Sequence, residues 1–378
     1  MSRSVVARTD AGSTATVASS SATLEPLQDE WRRLAEAHGN PYLTPEWYDA
    51  CLRRGGDAAA VVVRAADGAL RGLLPLVRQG NGPLRVLRFP GDDLGDTFEL
   101  LVAPDEDPEG VARTAGRALA ASPLRRDPLM LWYVDAAAPW LRGLADGLGA
   151  VAVHRRGTLT RPWVDLSCGD WTEFLAGLKR TDRKETRRRE RRALEAGAAY
   201  RRVEAPDEAL AGMQELFRLH DLRWSEPGAS SVATPEIRSL LSDFAAGAAR
   251  HGWLRLWLIE MDGRPVAAEL AWRIGPRQLH FQGGWDPEHA TLGLGLVAFG
   301  HALEEAIADG VAEADLGIGE SDYKRRFARD ERVVSQLAIV RRNHPARAAI
   351  AAAFGARRAL ASLPDERRAQ VRRILRRG

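Results

Sequence analysis

Hydrophobic and polar positions along the chain fall into two passages of matching form. The first, AAAVVVRAADGALRGLLPLV, sets Asp67-Gly68 between two apolar runs; the second, WLRLWLIEMDGRPVAAELAW, does the same with Asp262-Gly263. Asp-Gly between β-rich runs is a strong local hairpin signal, because tight hairpin turns need residues that tolerate positive φ. The first hairpin is followed by a strand-like PLRVLRFPG, an acidic loop, the helical PEGVARTAGRALA and the apolar PLMLWYV. The second is followed by the strand-like RQLHFQGGW, a loop, the helical LVAFGHALEEAIADG and the strand-like EADLGI. Each half reads β-β-β-loop-α-β, which predicts an α/β fold made of tandem copies of one module. Helices are expected over about 25–38 and 45–54 before the first hairpin, and over about 171–196, 207–223 and 235–250 before the second.

The Ser/Thr/Ala-rich residues 1–23 show no periodicity and are expected to form a disordered leader. The halves join within GTLTRPWVDLSCGD, where Asp170 can cap the following helix. This sets expected domains at 24–165 and 166–343, followed by a basic helical tail over 344–378.

Composition narrows the class. The chain has 378 residues, 45% hydrophobic and 28% charged, the profile of a globular protein of two or three domains. Cys51 and Cys168 are too few for a disulfide framework or a cysteine zinc site, so no metal is expected. No apolar stretch reaches the roughly 18–20 residues that span a bilayer, and the start has no signal-like apolar core. A cytoplasmic location is the expectation. From Arg341 onward eleven arginines face only Asp365 and Glu366, so the preceding body is net acidic. The chain as a whole does not read as a sequence-specific DNA-binding protein. Its tail, with Arg372, Arg373, Arg376 and Arg377 beside Val371, Ile374 and Leu375, either rests on an anionic membrane face or other polyanion or folds back as a solvated helix. The tail is expected to be dispensable for catalysis, with docking at the inner membrane surface as its use.

The loop after the third strand separates the halves chemically. In the second half Asp286-Pro287-Glu288-His289-Ala290-Thr291-Leu292-Gly293-Leu294-Gly295 leads straight into a helix. Gly293 and Gly295 there are either packing devices or the close-approach residues of a phosphate site, with the backbone at Leu294 between them. The first-half loop carries Asp105, Glu106, Asp107 and Glu109, which suit a helix dipole and repel phosphate. On the third strand His280 and Gln282 alternate with Leu279 and Phe281, so both are expected on one face, solvated or lining a cleft. His220, Arg223 and Trp224 stand at helical spacing on one face. Between Lys179 and Arg192, residues Arg180, Arg183, Lys184, Arg187, Arg188, Arg191 and Arg192 form a continuous basic stripe.

These motifs carry a family resemblance. The order of PYLTPEWYDACL, LLPLVR, LKRTDRKETRRRERRALEAG, LHDLRW, DGRPVAAEL, GWDPEH, GLGLVAFGHALEEAIADG and DYKRRF resembles the CelD-like, cellulose-biosynthesis-type acyltransferases of the GNAT superfamily, relatives of the FemABX peptidyltransferases. The resemblance spans most of residues 24–340. It implies tandem GNAT-like domains, each a mixed twisted sheet flanked by helices, and acyl transfer from acetyl-CoA or another acyl-CoA to an amine or hydroxyl of a small-molecule, saccharide or peptide acceptor. The GNAT loop signature begins with Gln or Arg, whereas this chain has Ala290 there. FemABX-like transfer from aminoacyl-tRNA therefore stays open, as does a non-catalytic scaffold.

Acyl transfer needs an oxyanion donor, a base and an acid. The resemblance puts the oxyanion donor around Gly283, Gly284 and Trp285. Glu269, which interrupts VAAELAW, and Asp286, otherwise a loop cap, are the candidate bases. Tyr323 is a candidate acid or a packed tyrosine, and Lys324 is one of only three lysines, with Lys179 and Lys184. Lys324 is a candidate point contact for phosphate or carboxylate. His220, Arg223, Trp224, His280 and Gln282 are candidate acceptor contacts.

Overall fold

The computed structural model describes residues 5–8, 13–80, 85–224, 232, 234–319 and 321–361. The chain opens with β1 (Val5–Arg8), β2 (Thr14–Val17), α1 (Gln28–His38) and α2 (Pro45–Arg54). It continues through β3 (Asp57–Ala58), β4 (Val61–Arg64), β5 (Leu70–Leu74), β6 (Val77–Gln79), β7 (Val86–Arg88) and β8 (Leu101–Val102). Then come α3 (Pro108–Ala121), β9 (Leu129–Val134), α4 (Pro139–Leu148) and the long β10 (Val151–Asp165). Next are α5 (Trp171–Gly177), α6 (Arg180–Glu195), β11 (Ala199–Val203), α7 (Ala209–Arg223) and α8 (Pro235–Arg250). Three strands, β12 (Leu254–Met261), β13 (Arg264–Ile274) and β14 (Arg277–Trp285), lead to α9 (Leu294–Ala308). The chain ends through β15 (Glu313–Asp315), α10 (Asp322–Phe327), β16 (Asp330–Arg341) and α11 (Arg347–Ala361).

Two compact units share these elements, and they do not follow linear order. Unit 1 holds Met1–Leu34, Gly55–Leu159 and Val333–Gly378, and unit 2 holds Ala35–Arg54 and Thr160–Arg332. The early segment 35–54 belongs to the later module because α2 packs on α8. Trp47 meets the Phe244 ring edge-on at 5.0 Å, and Arg53 pairs with Asp243 at 2.9 Å. A single boundary near 165 cannot describe such an exchange.

In unit 1, β1-β2-β4-β5-β8 form an antiparallel sheet, while β16, β9, β7, β6 and β3 pair in that order. The Asp67-Gly68 hairpin forms as expected between β4 and β5. Residues 14–17, expected within a disordered leader, instead make β2, with Ala15 and Val17 buried beside β4. The apolar alternation there is short, and pairing with β4 supplies what propensity does not. The expected third strand also divides: β7 pairs with β6 and β9, while β5 takes β8 as its neighbour.

The tail expectation needs the same correction. The helix α11 buries Phe354 against Ala338 and Val340, with Met130 and Ile350 packed alongside, so it belongs to the core of unit 1. Residues 362–378, including Arg372, Arg373, Arg376 and Arg377, lie outside the described residues.

Unit 2 orders its strands β11-β12-β13-β14-β15-β10. The β12–β13 turn has φ of 51° at Asp262 and 73° at Gly263, the double positive φ of a primed turn. β14 and β15 run parallel because α9 crosses between them. Two apolar clusters enclose α9: one includes Ile259, Ala267, Val297 and Ala298, the other Leu175, Leu303, Leu316 and Phe327. The single helix expected over 171–196 is two, broken at Leu178 and Lys179, both with extended backbone. The mixed α/β class and its twisted-sheet construction agree with the sequence analysis.

Phe354→Ala is expected to cost about 3 kcal/mol, the usual scale for emptying a buried phenylalanine site. A lower urea midpoint at unchanged slope checks this; an unmoved midpoint would mean that α11 contributes nothing to unit 1.

Candidate active site

The site begins where two strands part. β14 pairs with β15 only over Arg277–Leu279 against Glu313–Asp315. Beyond Asp315 the chain stays with β10, through Leu316 N–H to Pro162 O at 3.0 Å and Gly319 N–H to Thr160 O at 3.4 Å. β14 runs on to Trp285 with β13 on one side and, among the described residues, no strand on the other. The pair that fixes β15 on β10 is itself buried: Arg161 is 5% and Asp315 3% exposed, and the two are in salt-bridge contact.

Ladder phase then decides which amides face the open edge. Asp286 N–H donates to Val266 O at 2.8 Å, so in the antiparallel alternation Gly284 and Gln282 turn toward β13. Gly283 and Trp285 turn outward. The carbonyl of Gly283 accepts from Arg223 Nη1 at 3.1 Å across this edge. Of the three expected oxyanion positions, Gly283 and Trp285 present donors there and Gly284 does not. Gly284 serves packing instead: a Cβ on it would lie 2.5 Å from the backbone nitrogen of His220 on α7.

A β-bulge corrects the expectation that His280 and Gln282 share a face. Leu270 pairs with Gln282 while Ala271 pairs with His280, leaving Phe281 as the extra residue. The inserted residue inverts the side-chain alternation. His280 consequently faces α9, its ring 4.7 Å from Phe299, and Gln282 lies with Gly284 on the α7 face. His280 then joins a buried chain. Its Nδ1 is 2.9 Å from Glu269 Oε1, and its Nε2 is 3.2 Å from Gln278 Nε2, whose amide also donates to Ala302 O at 3.3 Å. A donor at Nε2 assigns the imidazole proton to Nδ1, aimed at Glu269. Glu269 is 8% exposed, and its other oxygen lies where a Cβ on Gly283 would be, 2.5 Å away. Gln278, wholly buried, is the member that sequence reasoning missed, although its spacing of two from His280 was visible.

Around this carboxylate stand Arg223 and Tyr323. The Arg223 guanidinium lies 3.7 Å from the Trp285 ring centroid and 4.9 Å from that of Trp224, which is 41% exposed. Burial lowers the Arg223 pKa, while Tyr323 and Glu269 act to raise it. Tyr323 packs edge-on to Phe299 at 5.0 Å, and burial, then the Glu269 charge, push its phenol well above the ordinary tyrosine value. A phenol so placed keeps its proton at neutral pH.

Other expected site residues have structural roles. Asp286 accepts from Glu288 N–H at 3.0 Å as a loop cap. His220 is 2% exposed, packed under Gly284, and burial lowers its pKa. Lys324 is 8% exposed and donates to Gly317 O at 3.2 Å and Ile318 O at 3.0 Å, so it orders the segment after β15 instead of offering its charge to a ligand.

At the glycine loop, Gly293 has φ of 68°, and a Cβ there would run into Arg189 Nη1. Arg189, held by Glu185 at 2.6 Å, thus brings a guanidinium from α6 to the start of α9, where Ala290 offers none. No acidic residue occupies the first turn of α9, and the amides of Leu294 and Gly295 have no intrahelical carbonyl. The start of α3 is different: Asp107 accepts from its own Glu109 and Gly110 amides. Gly295 also has a packing reason, since a Cβ would lie 2.7 Å from the Trp285 ring. Most of the basic stripe on α6 is solvated, and Arg189, outside that stripe, is the residue that turns inward.

Residues 180–325 match the acetyltransferase (GNAT) domain family. The matched region coincides with the part of unit 2 that carries β14 and β15. No curated protein sequence matches the chain. Among solved structures, FemX aligns with a TM-score of 0.62 at 13% identity, covering 86% of this chain and 98% of FemX. The C-terminal domain of a putative lysylphosphatidylglycerol synthetase from Agrobacterium fabrum aligns at 0.55 and 12%, covering 88% and 96%. A conserved protein of unknown function from Bacteroides thetaiotaomicron aligns at 0.53 and 10%, covering 84% and 97%. At these identities the likeness is one of fold. No helix among the described residues is long and apolar enough to cross a membrane.

Glu269→Gln is expected to bring the Tyr323 phenol down toward the ordinary value of about 10. Ultraviolet titration of tyrosinate, with Tyr323→Phe identifying the component, reads the shift. Identical titrations in wild type and Glu269→Gln would remove Glu269 from the electrostatics of Tyr323.

Proposed function

We propose that the chain is an acyltransferase that moves an acyl group from an acyl-coenzyme A, acetyl-CoA in the simplest case, to an amine or hydroxyl acceptor. The observation that carries this reading is the outward-facing amide pair of Gly283 and Trp285 on the unpaired edge of β14, beside the buried carboxylate of Glu269. The residues at the loop fit a pyrophosphate: a glycine at positive φ, a guanidinium from Arg189, and an acid-free helix start. A bound thioester supplies an activated carbonyl.

The chain's own groups then divide the work. Gly283 and Trp285 donate to the carbonyl oxygen as negative charge develops there. Glu269, oriented by the Nδ1–H of His280, accepts the acceptor's proton, and Gln278 holds His280 in the tautomer that permits this. Tyr323 retains a proton for the departing group. Arg223 and Trp224 border the acceptor side, and Lys324 positions the loop after β15.

A second reading, transfer of an aminoacyl group from tRNA, is favoured by the fold shared with FemX and by the exposed cations of α6. A scaffold without catalysis is the third. Calorimetry with coenzyme A and with tRNA separates them: the first reading expects coenzyme A to bind, the second tRNA, the third neither.

For the first reading, Arg189→Gln is expected to weaken coenzyme A binding at least tenfold with the fold intact. Glu269→Gln should lower acetyl-CoA turnover about 100-fold while leaving coenzyme A affinity unchanged. Wild-type protein that ignores coenzyme A would overturn the reading. Gly295→Asp is a poor probe because it strikes Trp285.

A further inference from the structure

Unit 1 sets two guanidiniums against one indole, and only one of them has a carboxylate partner among the described residues. Trp132 on β9 is half-buried, with the Arg88 guanidinium 5.0 Å from its ring centroid and that of Arg156, on β10, 5.1 Å away. Arg88 is neutralised by Asp92, which is 1% exposed and whose carboxyl burial raises to about 6. Arg156 has no such partner. Among the described residues no carboxylate pairs with it; burial lowers its pKa, the Arg357 charge on α11 lowers it further, and Tyr133 acts to raise it.

Packing explains why Arg357 is there. Phe354 and Ile350, three and seven positions earlier on α11, sit against Ala338, Val340 and Met130. Arg358, the residue after Arg357 on α11, donates to Arg155 O on β10, so this turn of α11 lies beside the Arg155–Arg156 stretch of that strand. The indole N–H of Trp132 is also buried and lacks an acceptor among the described residues. Arg156 stands over an indole whose N–H lacks an acceptor and lies in the field of a second guanidinium, and Arg156 and Trp132 bring only donors. Holding the half-buried Arg156 guanidinium in the field of another without a counter-charge costs stability, a cost that an anion completing the set offsets.

We infer that Trp132, Arg156 and Arg357 form a binding site for a phosphoryl anion, a phosphate monoester or diphosphate. Two guanidinium forks match the doubled charge and the several acceptor oxygens of a phosphoryl group better than a single carboxylate would. The Trp132 ring provides an apolar wall over which the Arg156 guanidinium sits. This site belongs to unit 1 and does not rest on the acyltransfer reading of unit 2.

Titration calorimetry of the full chain with inorganic pyrophosphate at low salt tests it. Two sites per chain are expected. Arg189→Gln should remove the one at the start of α9, and Arg156→Gln or Arg357→Gln should weaken the other at least tenfold. Arg155→Gln, on the opposite face of β10 and exposed, should leave both unchanged. A single site lost with Arg189→Gln, or Arg156→Gln indistinguishable from Arg155→Gln, overturns the inference. Loss of the α9 site alone, with the Arg156-dependent site intact, would count against the reading of unit 2 and not against this one. If circular dichroism shows that Arg156→Gln does not fold, Arg357→Gln, exposed on its helix, carries the same test. Sedimentation with phosphatidylglycerol against phosphatidylcholine vesicles separates the sources. Vesicle binding that falls in Arg156→Gln assigns the anion to a lipid headgroup, and a loss seen with pyrophosphate alone assigns it to a soluble phosphate ester.

Discussion

The parting of β14 from β15 is the constraint on which unit 2 depends. A parallel pair held for three residues and then abandoned leaves backbone donors without a ladder partner, and such groups are costly unless something else takes them. Here the segment after Asp315 is claimed by β10, with the buried Arg161–Asp315 pair holding the junction. Removing one member of such a pair strands the other, which typically costs about 3–5 kcal/mol. Lys324 completes the tether by donating to the carbonyls of Gly317 and Ile318. The opening is therefore built into the sheet and is not a gap in it.

Chemistry then collects at the opening because of one inserted residue. Without the bulge at Phe281, His280 would turn to the α7 face and leave Glu269 without its imidazole partner. With it, Glu269, His280 and Gln278 form a buried chain joined through both imidazole nitrogens, with the Gln278 amide N–H also held by Ala302 O. Tyr323 and Arg223 sit in the field of the same carboxylate, one acid kept protonated and one cation kept paired to a carbonyl.

The two units treat anions in opposite ways at their helix starts. In α3 the capping carboxylate of Asp107 satisfies the amides locally, leaving nothing for a ligand. In α9 no acid is present and a guanidinium arrives from a neighbouring helix. In unit 1 Arg156, without a carboxylate partner among the described residues, stands over Trp132 in the field of Arg357.

By itself the sequence determined what depends on near neighbours along the chain. Both Asp-Gly hairpins, the α/β alternation, the run of α9 and the contrast between the acidic and glycine loops follow from turn chemistry and short periodicities, which act over a few residues. Glu269 was legible because a carboxylate inside VAAELAW is conspicuous whatever surrounds it. Only the tertiary structure decided the rest, since each item turns on a partner distant in sequence. The bulge at Phe281 exists through pairing with Leu270 and Ala271, and it alone tells His280 from Gln282. The basic stripe of α6 was visible, but which arginine reaches Gly293 depends on how α6 lies on α9, and that face carries Arg189. Lys324 looked available because lysine is rare here, yet the carbonyls it binds are fixed by β10, more than a hundred residues earlier. Residues 14–17 and Phe354 lack strong local signals and gain their order from the strands they cover. Spacing along the chain reports a local face; which face is buried, and against what charge, is settled only when distant segments compete for the same surface.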